Sequence, residues 1–288
     1  MTIQATELLD VRALEEAANG LAPLPAATAR LIAVANHPDT SLNEIVEIAQ
    51  YDPGLTAILL RQANSAYARG VRQITDVRDA IMRLGIGSVV TVAMRSSLAA
   101  TLDGPLDLYE MQSGALYRHS VMSAVSAEVL RSRCPGRVPA MTPTVALLHD
   151  VGKLVIAHAL GTRTVELVSS LSTADGSDVH ESELAVFGLH HGHAGAYVIR
   201  HWKLPTSFLD GVVNHHGGQD EPSLAALASE LADGLAHAID ASSAEEEAAL
   251  TEAIQPLGAA FGIEAAAIPE LIEETATRYD EVQALIDG

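Results

Sequence analysis

Apolar side chains recur along this chain at the three- and four-residue spacing of a helix face, and almost nowhere in the alternation of a half-buried strand. In the stretch from Leu24 to Ala35, Leu31, Val34 and Ala35 fall on one such face, and Pro25 suits its first position. Ser41-Leu42-Asn43-Glu44 reads as a capping box that opens a helix through Ile45, Ile48 and Ala49. Asp52-Pro53 ends that helix and starts another, which carries Leu55, Ile58, Leu59 and Leu60 to Asn64-Ser65. Asp76 caps a helix holding Val77, Ala80, Ile81 and Leu84, closed by Gly85, and a further helix runs from Val89 to Ala100. Asp103-Gly104-Pro105 then interrupts helix formation and marks an internal boundary. Beyond it the pattern predicts helices over 106–132, 142–150, 153–170, 180–188, 192–202, 205–216 and 222–240, with two more after Ser243. The expected fold class is all-α, with lobes at 1–104, 105–240 and 241–288, the last packed on or extending the second.

Composition supports this. The 288 residues are 48% hydrophobic and only 3% aromatic, a balance that fills a globular core and favours helix over sheet. Polar groups break every apolar run before the roughly 18 residues a membrane helix needs. The single cysteine, Cys134, forms no internal disulfide, and the start of the chain has no signal-peptide pattern, so the expected compartment is a reducing cytoplasm.

The formal net charge of −20 disfavours nucleic-acid polymers and anionic membrane surfaces as partners. Residues 217–288, however, contain 16 acidic side chains against one base, Arg278, and hold most of that charge. The rest of the chain is close to neutral, so a small phosphorylated ligand there is compatible with the charge. The acidic face after Ser243 suits solubility or a basic partner surface.

Nine of the twelve histidines fall between His149 and His216. His149-Asp150 closes the apolar run Val145 to Leu148, and Lys153 follows four residues after His149, so imidazole, carboxylate and ammonium can share one helix end. Imidazole with carboxylate suits a borderline divalent cation. His215-His216 form a second focus, and His190, His191 and His193 a third. Adjacent residues cannot both face the core of an ordinary helix, so one of His215 and His216 is expected at the surface. His158, His180, His201 and His237 are expected to be surface or satisfied core histidines, and Trp202 a core anchor. A lone His-Asp pair is a weak motif, and buried histidines can also tie helices together through hydrogen bonds with no cation.

The order His119, His149-Asp150, Asp233 resembles the HD superfamily of metal-dependent phosphohydrolases. His191, His215 and His216 fill positions similar to second-metal ligands of the HD-GYP cyclic-dinucleotide phosphodiesterases. Leu21-Ala22-Pro23-Leu24-Pro25, Tyr51-Asp52-Pro53-Gly54, Leu60 to Tyr67, Ala80 to Gly85, Arg118-His119-Ser120, Leu147 to Leu154, Gly188-Leu189-His190-His191 and Trp202-Lys203-Leu204-Pro205 ahead of Asn214-His215-His216 resemble, in the same order, the HDOD family of bacterial signalling output domains. That resemblance runs from about Leu21 to Asp240. It implies a multi-helix fold with an N-terminal lobe packed on an HD-like lobe, and a regulatory module that acts through protein–protein contacts, often with incomplete metal ligands.

The metal ligands so implied are His119, His149, Asp150, His191, His215, His216 and Asp233, for one or two divalent cations among Fe, Mn, Zn and Mg. Two departures disfavour the HD-GYP activity: Ala115 stands where some of those enzymes carry an acidic ligand, and Gly217 to Pro222 is no Gly-Tyr-Pro loop. The first reading is therefore a non-catalytic module that contacts other signalling proteins, as a stand-alone adaptor or as the output part of a system assembled from separate proteins, since the remaining residues hold no receiver, cyclase or DNA-binding segment; a homo-oligomer is compatible with it. The alternative is a phosphohydrolase of nucleotides or cyclic nucleotides. There Asp150 would anchor the cation, a water between the cations would lose part of its pKa and attack phosphorus, and Lys153 would stabilise the phosphoryl oxygens.

Overall fold

The computed structural model describes residues 9–37, 40–64, 73–161, 179–217 and 220–287. Among these there is no strand, only an isolated bridge between Leu106 and Met111. Ahead of the Asp103-Gly104-Pro105 break lie α1 (Val11–Asn19), α2 (Ala26–Ala35), α3 (Leu42–Gln50), α4 (Pro53–Ala63), α5 (Val77–Leu84) and α6 (Ile86–Leu102). The expected caps form where the local chemistry demands them. Ser41 and Glu44 close a capping box, Asp52 accepts from the Leu55 amide, and Asp76 accepts from those of Arg78 and Asp79. Pro25 stands one position ahead of its helix, not inside it. Gly85, at φ 78°, ends α5 and starts α6 at once, and the two axes bend by 106° there.

After the break follow α7 (Ala115–Arg133), α8 (Thr142–Leu148), α9 (Gly152–Leu160), α10 (Val179–Phe187), α11 (His191–His201), α12 (Ser207–Val213) and α13 (Leu224–Ile239). The helix expected from residue 106 starts only at Ala115, because the 3-10 turn Asp107–Tyr109 and the left-handed Gly114 at φ 78° take up the preceding chain. The helix expected over 153–170 is seen from Gly152 to Leu160, and residues 162–178 lie outside the described residues. After Ser243 there are three helices instead of two: α14 (Ala244–Ala253), α15 (Gln255–Ala260) and α16 (Ile268–Asp287). Pro256 sits in the first turn of α15, where its missing amide costs nothing, and so separates α15 from α14.

One core spans the helices on both sides of the break, from Leu31, Ile45, Leu59 and Ile81 through Met94 and Leu98 to Leu147, Ile156, Val198 and Phe208. A second joins Leu130, Ala146, Leu231 and Leu235 to Ile254, Phe261, Ile268 and Leu271, so the C-terminal helices pack back on α7 and α13. Trp202 is buried, as expected of an anchor, and its indole N–H donates to the Ala22 carbonyl at 3.0 Å, tying α11 to the segment ahead of α2. Among the described residues no single helix is long and apolar enough to cross a membrane. The bent pair α5–α6 is apolar enough together, but Val89, Val90, Met94, Leu98 and Leu102 of α6 are buried in the core.

Candidate metal centre

Three helices and two helix ends bring the chemistry to one place. His119 comes from α7, His149 from the C-cap of α8 with Asp150 next to it, His191 from the start of α11, His215 and His216 from the turn after α12, and Asp233 from α13. The expectation that one of His215 and His216 would face solvent fails for a simple reason. The helix stops at Val213, and in the following turn successive side chains need not diverge as they do on a helix. His215 is fully buried, and the Nε2 of His216 reaches 2.8 Å from that of His191.

The donor atoms fall into two groups that share Asp150. In the first, His119 Nε2 lies 2.9 Å from Asp233 Oδ1, 3.3 Å from His149 Nε2 and 3.8 Å from Asp150 Oδ2. His149 Nε2 is 3.3 Å from Asp233 Oδ1 and 3.5 Å from Asp150 Oδ2. In the second, His191 Nε2 lies 3.0 Å from Asp150 Oδ1, 3.2 Å from His215 Nε2 and 2.8 Å from His216 Nε2. Ligands about 2.0–2.1 Å from a common cation stand roughly 3 Å apart when adjacent, which is the spacing seen here.

The outward-facing nitrogens fix which ring atom points inward. His149 Nδ1 donates to the Ala146 carbonyl at 2.6 Å, His215 Nδ1 to that of Val212 at 2.7 Å, and His191 Nδ1 to Glu183 Oε2 at 2.7 Å. With Nδ1 spent on oxygen, each Nε2 presents its lone pair to the centre when the ring is neutral. Glu183 is completely buried; it also accepts from the His191 backbone amide at 2.7 Å and from the Tyr109 hydroxyl at 2.6 Å. Neither Glu183 nor Tyr109 was among the expected site residues. The only sequence signal for Glu183 is a carboxylate two helical turns ahead of His191, and that has no local meaning until the fold is known.

Charge at the site is balanced by protons. Burial opposes ionisation of Asp150, but Lys153, His149 and His191 outweigh it and hold the carboxyl well below its usual range. Asp233 is likewise depressed, its burial outweighed by His237, His149 and His119. Burial pulls His191 down, yet Glu183 and Asp150 overcome this and push it up to about 9. His149 rises in the same way, whereas burial lowers His119, His215 and His216. Lys153, whose burial is outweighed by Asp150, stays charged with Nζ 2.7 Å from Asp150 Oδ2. The protonated His191 thus stands where the donor set converges, and a divalent cation would replace its proton.

The remaining histidines divide. His190 caps α11 by accepting from the Gly192 amide, and burial lowers it to about 4; His193 reaches back to the His190 amide. Of this focus only His191 joins the centre. His158 is exposed and bonds to its own helix at Leu154. His180 stacks on His216 with ring centroids 4.2 Å apart, and His237 comes within 3.5 Å of Asp233 Oδ1, so these two border the centre and are not bystanders as expected.

The fold and the site define an all-helical protein built around an HD-type histidine–aspartate cluster. The family model of the HDOD domain matches residues 21–217, and the chain belongs to the HDOD family. Its fold is similar to that of an HDOD domain protein of unknown function from Geobacter sulfurreducens, with 23% identity, TM-score 0.71 and coverage of 96% of this chain and 99% of that one. A protein from Shewanella amazonensis SB2B, whose phosphohydrolase name is provisional, is similar at 22% identity and TM-score 0.68, over 95% of this chain and 97% of that one. An uncharacterized protein of Treponema pallidum (strain Nichols) is 21% identical over 193 residues, 67% of this chain. The match spans only 37% of that relative's length.

Proposed function

We propose that this chain is a regulatory HDOD module that holds one or two divalent cations in its HD-type centre and acts through contacts with other signalling proteins. The observation that carries the metal reading is the convergence of Nε2 atoms and carboxylate oxygens at ligand spacing, with the Nδ1 atoms of His149, His191 and His215 turned outward onto oxygen acceptors. His119, His149, Asp150 and Asp233 would hold one cation, and His191, His215, His216 and Asp150 Oδ1 a second. A cation there would supply a fixed positive charge that ties five helices together. Five imidazoles favour Fe, Mn or Zn over Mg, which prefers all-oxygen sites.

The non-catalytic reading is supported by Lys153. Its ammonium is spent on Asp150 inside the site, with a side chain only 12% exposed, and is not free to meet a phosphoryl oxygen. The phosphohydrolase reading keeps one observation in its favour: the two oxygens of Asp150 face the two donor groups, as a carboxylate does between paired metals. A panel of nucleotides and cyclic nucleotides with Mn²⁺ or Fe²⁺ separates them. No turnover above a metal-only blank is expected, and hydrolysis that disappears in Asp150→Ala would establish the enzyme instead.

The raised His191 also gives a pH dependence. A histidine whose folded value lies above its unfolded value stabilises the fold below about 6.5 and loses that contribution as pH rises through about 9. Metal-free protein is therefore expected to lose stability between pH 6.5 and 9 in urea melts, and cation affinity should rise across the same window as the competing proton leaves. A flat stability profile in His191→Gln would place the effect on this residue, while a fall unchanged in that variant would remove it.

A further inference from the structure

Asp233 and His237 lie one turn apart on α13, so they project from the same face of the helix. Asp233 Oδ1 is 2.9 Å from His119 Nε2 and 3.5 Å from His237 Nε2, and the His119 and His237 rings are 4.7 Å apart. His119, Asp233 and His237 each offer a donor atom within 4.8 Å of the other two. The exposures differ sharply: the side chain of His237 is 55% exposed, against 8% for His119, 12% for Asp233, 1% for His149 and 2% for Asp150. His237 is thus the exposed member of the trio it forms with His119 and Asp233. It lies outside the HD-type order of ligands, and outside residues 21–217 matched by the family.

We propose that His237 is a further ligand of this chain's first cation position, closing it from the solvent side. The inference rests on the reading that the centre binds a divalent cation. His119, His149, Asp150 and Asp233 supply four donors from within. Solvent could reach a fifth position along the Asp233 edge, and the imidazole of His237 takes it. A cation site whose positions are all filled by protein is of the structural kind, whereas one that reacts with substrate keeps a position open. His237 would therefore make this centre a cation store or sensor, and its loss would open a position to small anions.

The test uses full-length protein loaded with Co²⁺, whose visible absorption reports ligand number and type, and azide as the small-anion probe. In the unaltered protein the Co²⁺ band is expected to ignore azide. In His237→Ala the band should weaken or shift and respond to azide, and Co²⁺ affinity should fall roughly tenfold, at the low end of the 10–100-fold range seen when a metal-site support is lost. His237 is largely exposed, and a circular-dichroism melt matching the parent confirms that the variant is folded. Two results would overturn the proposal and leave metal binding standing: a variant with the parent's spectrum, affinity and azide silence, or a parent band that already responds to azide as fully as the variant. Absence of any Co²⁺ uptake by the folded parent would overturn the metal reading and this inference together.

Discussion

Replacing Asp150 by alanine is expected to abolish cation retention and to destabilise the protein severely. Asp150 turns one oxygen to each donor group, and its side chain is 2% exposed. With it gone, the Lys153 ammonium loses the carboxylate that lies 2.7 Å away and keeps its charge in a largely buried position. The protonated His191 loses one of its two carboxylates as well. Removing one member of a buried pair while leaving the other charged costs about 3–5 kcal/mol. The double replacement Asp150→Ala with Lys153→Met should recover much of that stability without recovering the metal, since the stranded charge is gone but the ligand is not restored. Urea melts of the single and double variants decide the matter: equal stability of the two would show that Lys153 is not held by Asp150.

Gly152→Ala is the second large effect, and it acts through packing alone. Helices α9 and α11 cross so closely there that a Cβ on residue 152 would stand 1.8 Å from the His191 carbonyl oxygen and 2.5 Å from the Gly195 amide nitrogen, both backbone atoms. Neither can swing aside like a side chain, so α11 must shift and carry His191 with it. Overpacking typically costs 1–3 kcal/mol and occasionally more, and a clash with two backbone atoms should put this case at about 3 kcal/mol or above. That corresponds to a melting temperature roughly 6–12 °C lower for a chain of this size. Gly195→Ala, on the same interface, meets mainly the Val212 methyl at 2.9 Å, which can rotate away, and should cost less than half as much. A Gly152→Ala variant melting within about 2 °C of the parent would mean that the two helices are not in this contact.

What could be read from the sequence follows a physical line between local and distant causes. The caps at Ser41–Glu44, Asp52 and Asp76 and the stop at Gly85 depend on residues a few positions apart, so they appear in the structure where the sequence places them. The start of α7 does not, because the turn at Asp107–Tyr109 and the bridge from Leu106 to Met111 interrupt an otherwise helical pattern. The seven expected donors do meet in space, although the reason for naming them together was a resemblance in motif order and not a geometric rule. Glu183 and Tyr109 depend on a packing between the turn after α6 and helix α10 that no spacing encodes. His216 can join His215 at the cluster because α12 ends at Val213, three residues short of the expected helix end, and an exposed histidine such as His237 carries no signal in the sequence until its neighbour Asp233 is placed against His119.

Lys153 shows the converse. Its closeness to Asp150 was expected from their shared helix end, but the chemistry assigned to it changes with the structure: a cation bonded at 2.7 Å to a buried carboxylate maintains the site's charge balance and is unsuited to meeting substrate. The same arrangement makes protonation and the proposed cation competitors for one cluster.

The central claim is that this cluster binds divalent cations, and the most direct measurement is elemental analysis of the protein purified without chelator, alongside His149→Ala and Asp150→Ala prepared in the same way. The account predicts one to two equivalents of Fe, Mn or Zn per chain in the parent, and in folded variants a loss of at least the cation held by His149 and Asp150. A parent protein that carries no metal and takes up none on titration with Mn²⁺, Fe²⁺ or Zn²⁺, or variants that retain the parent's full content, would contradict it.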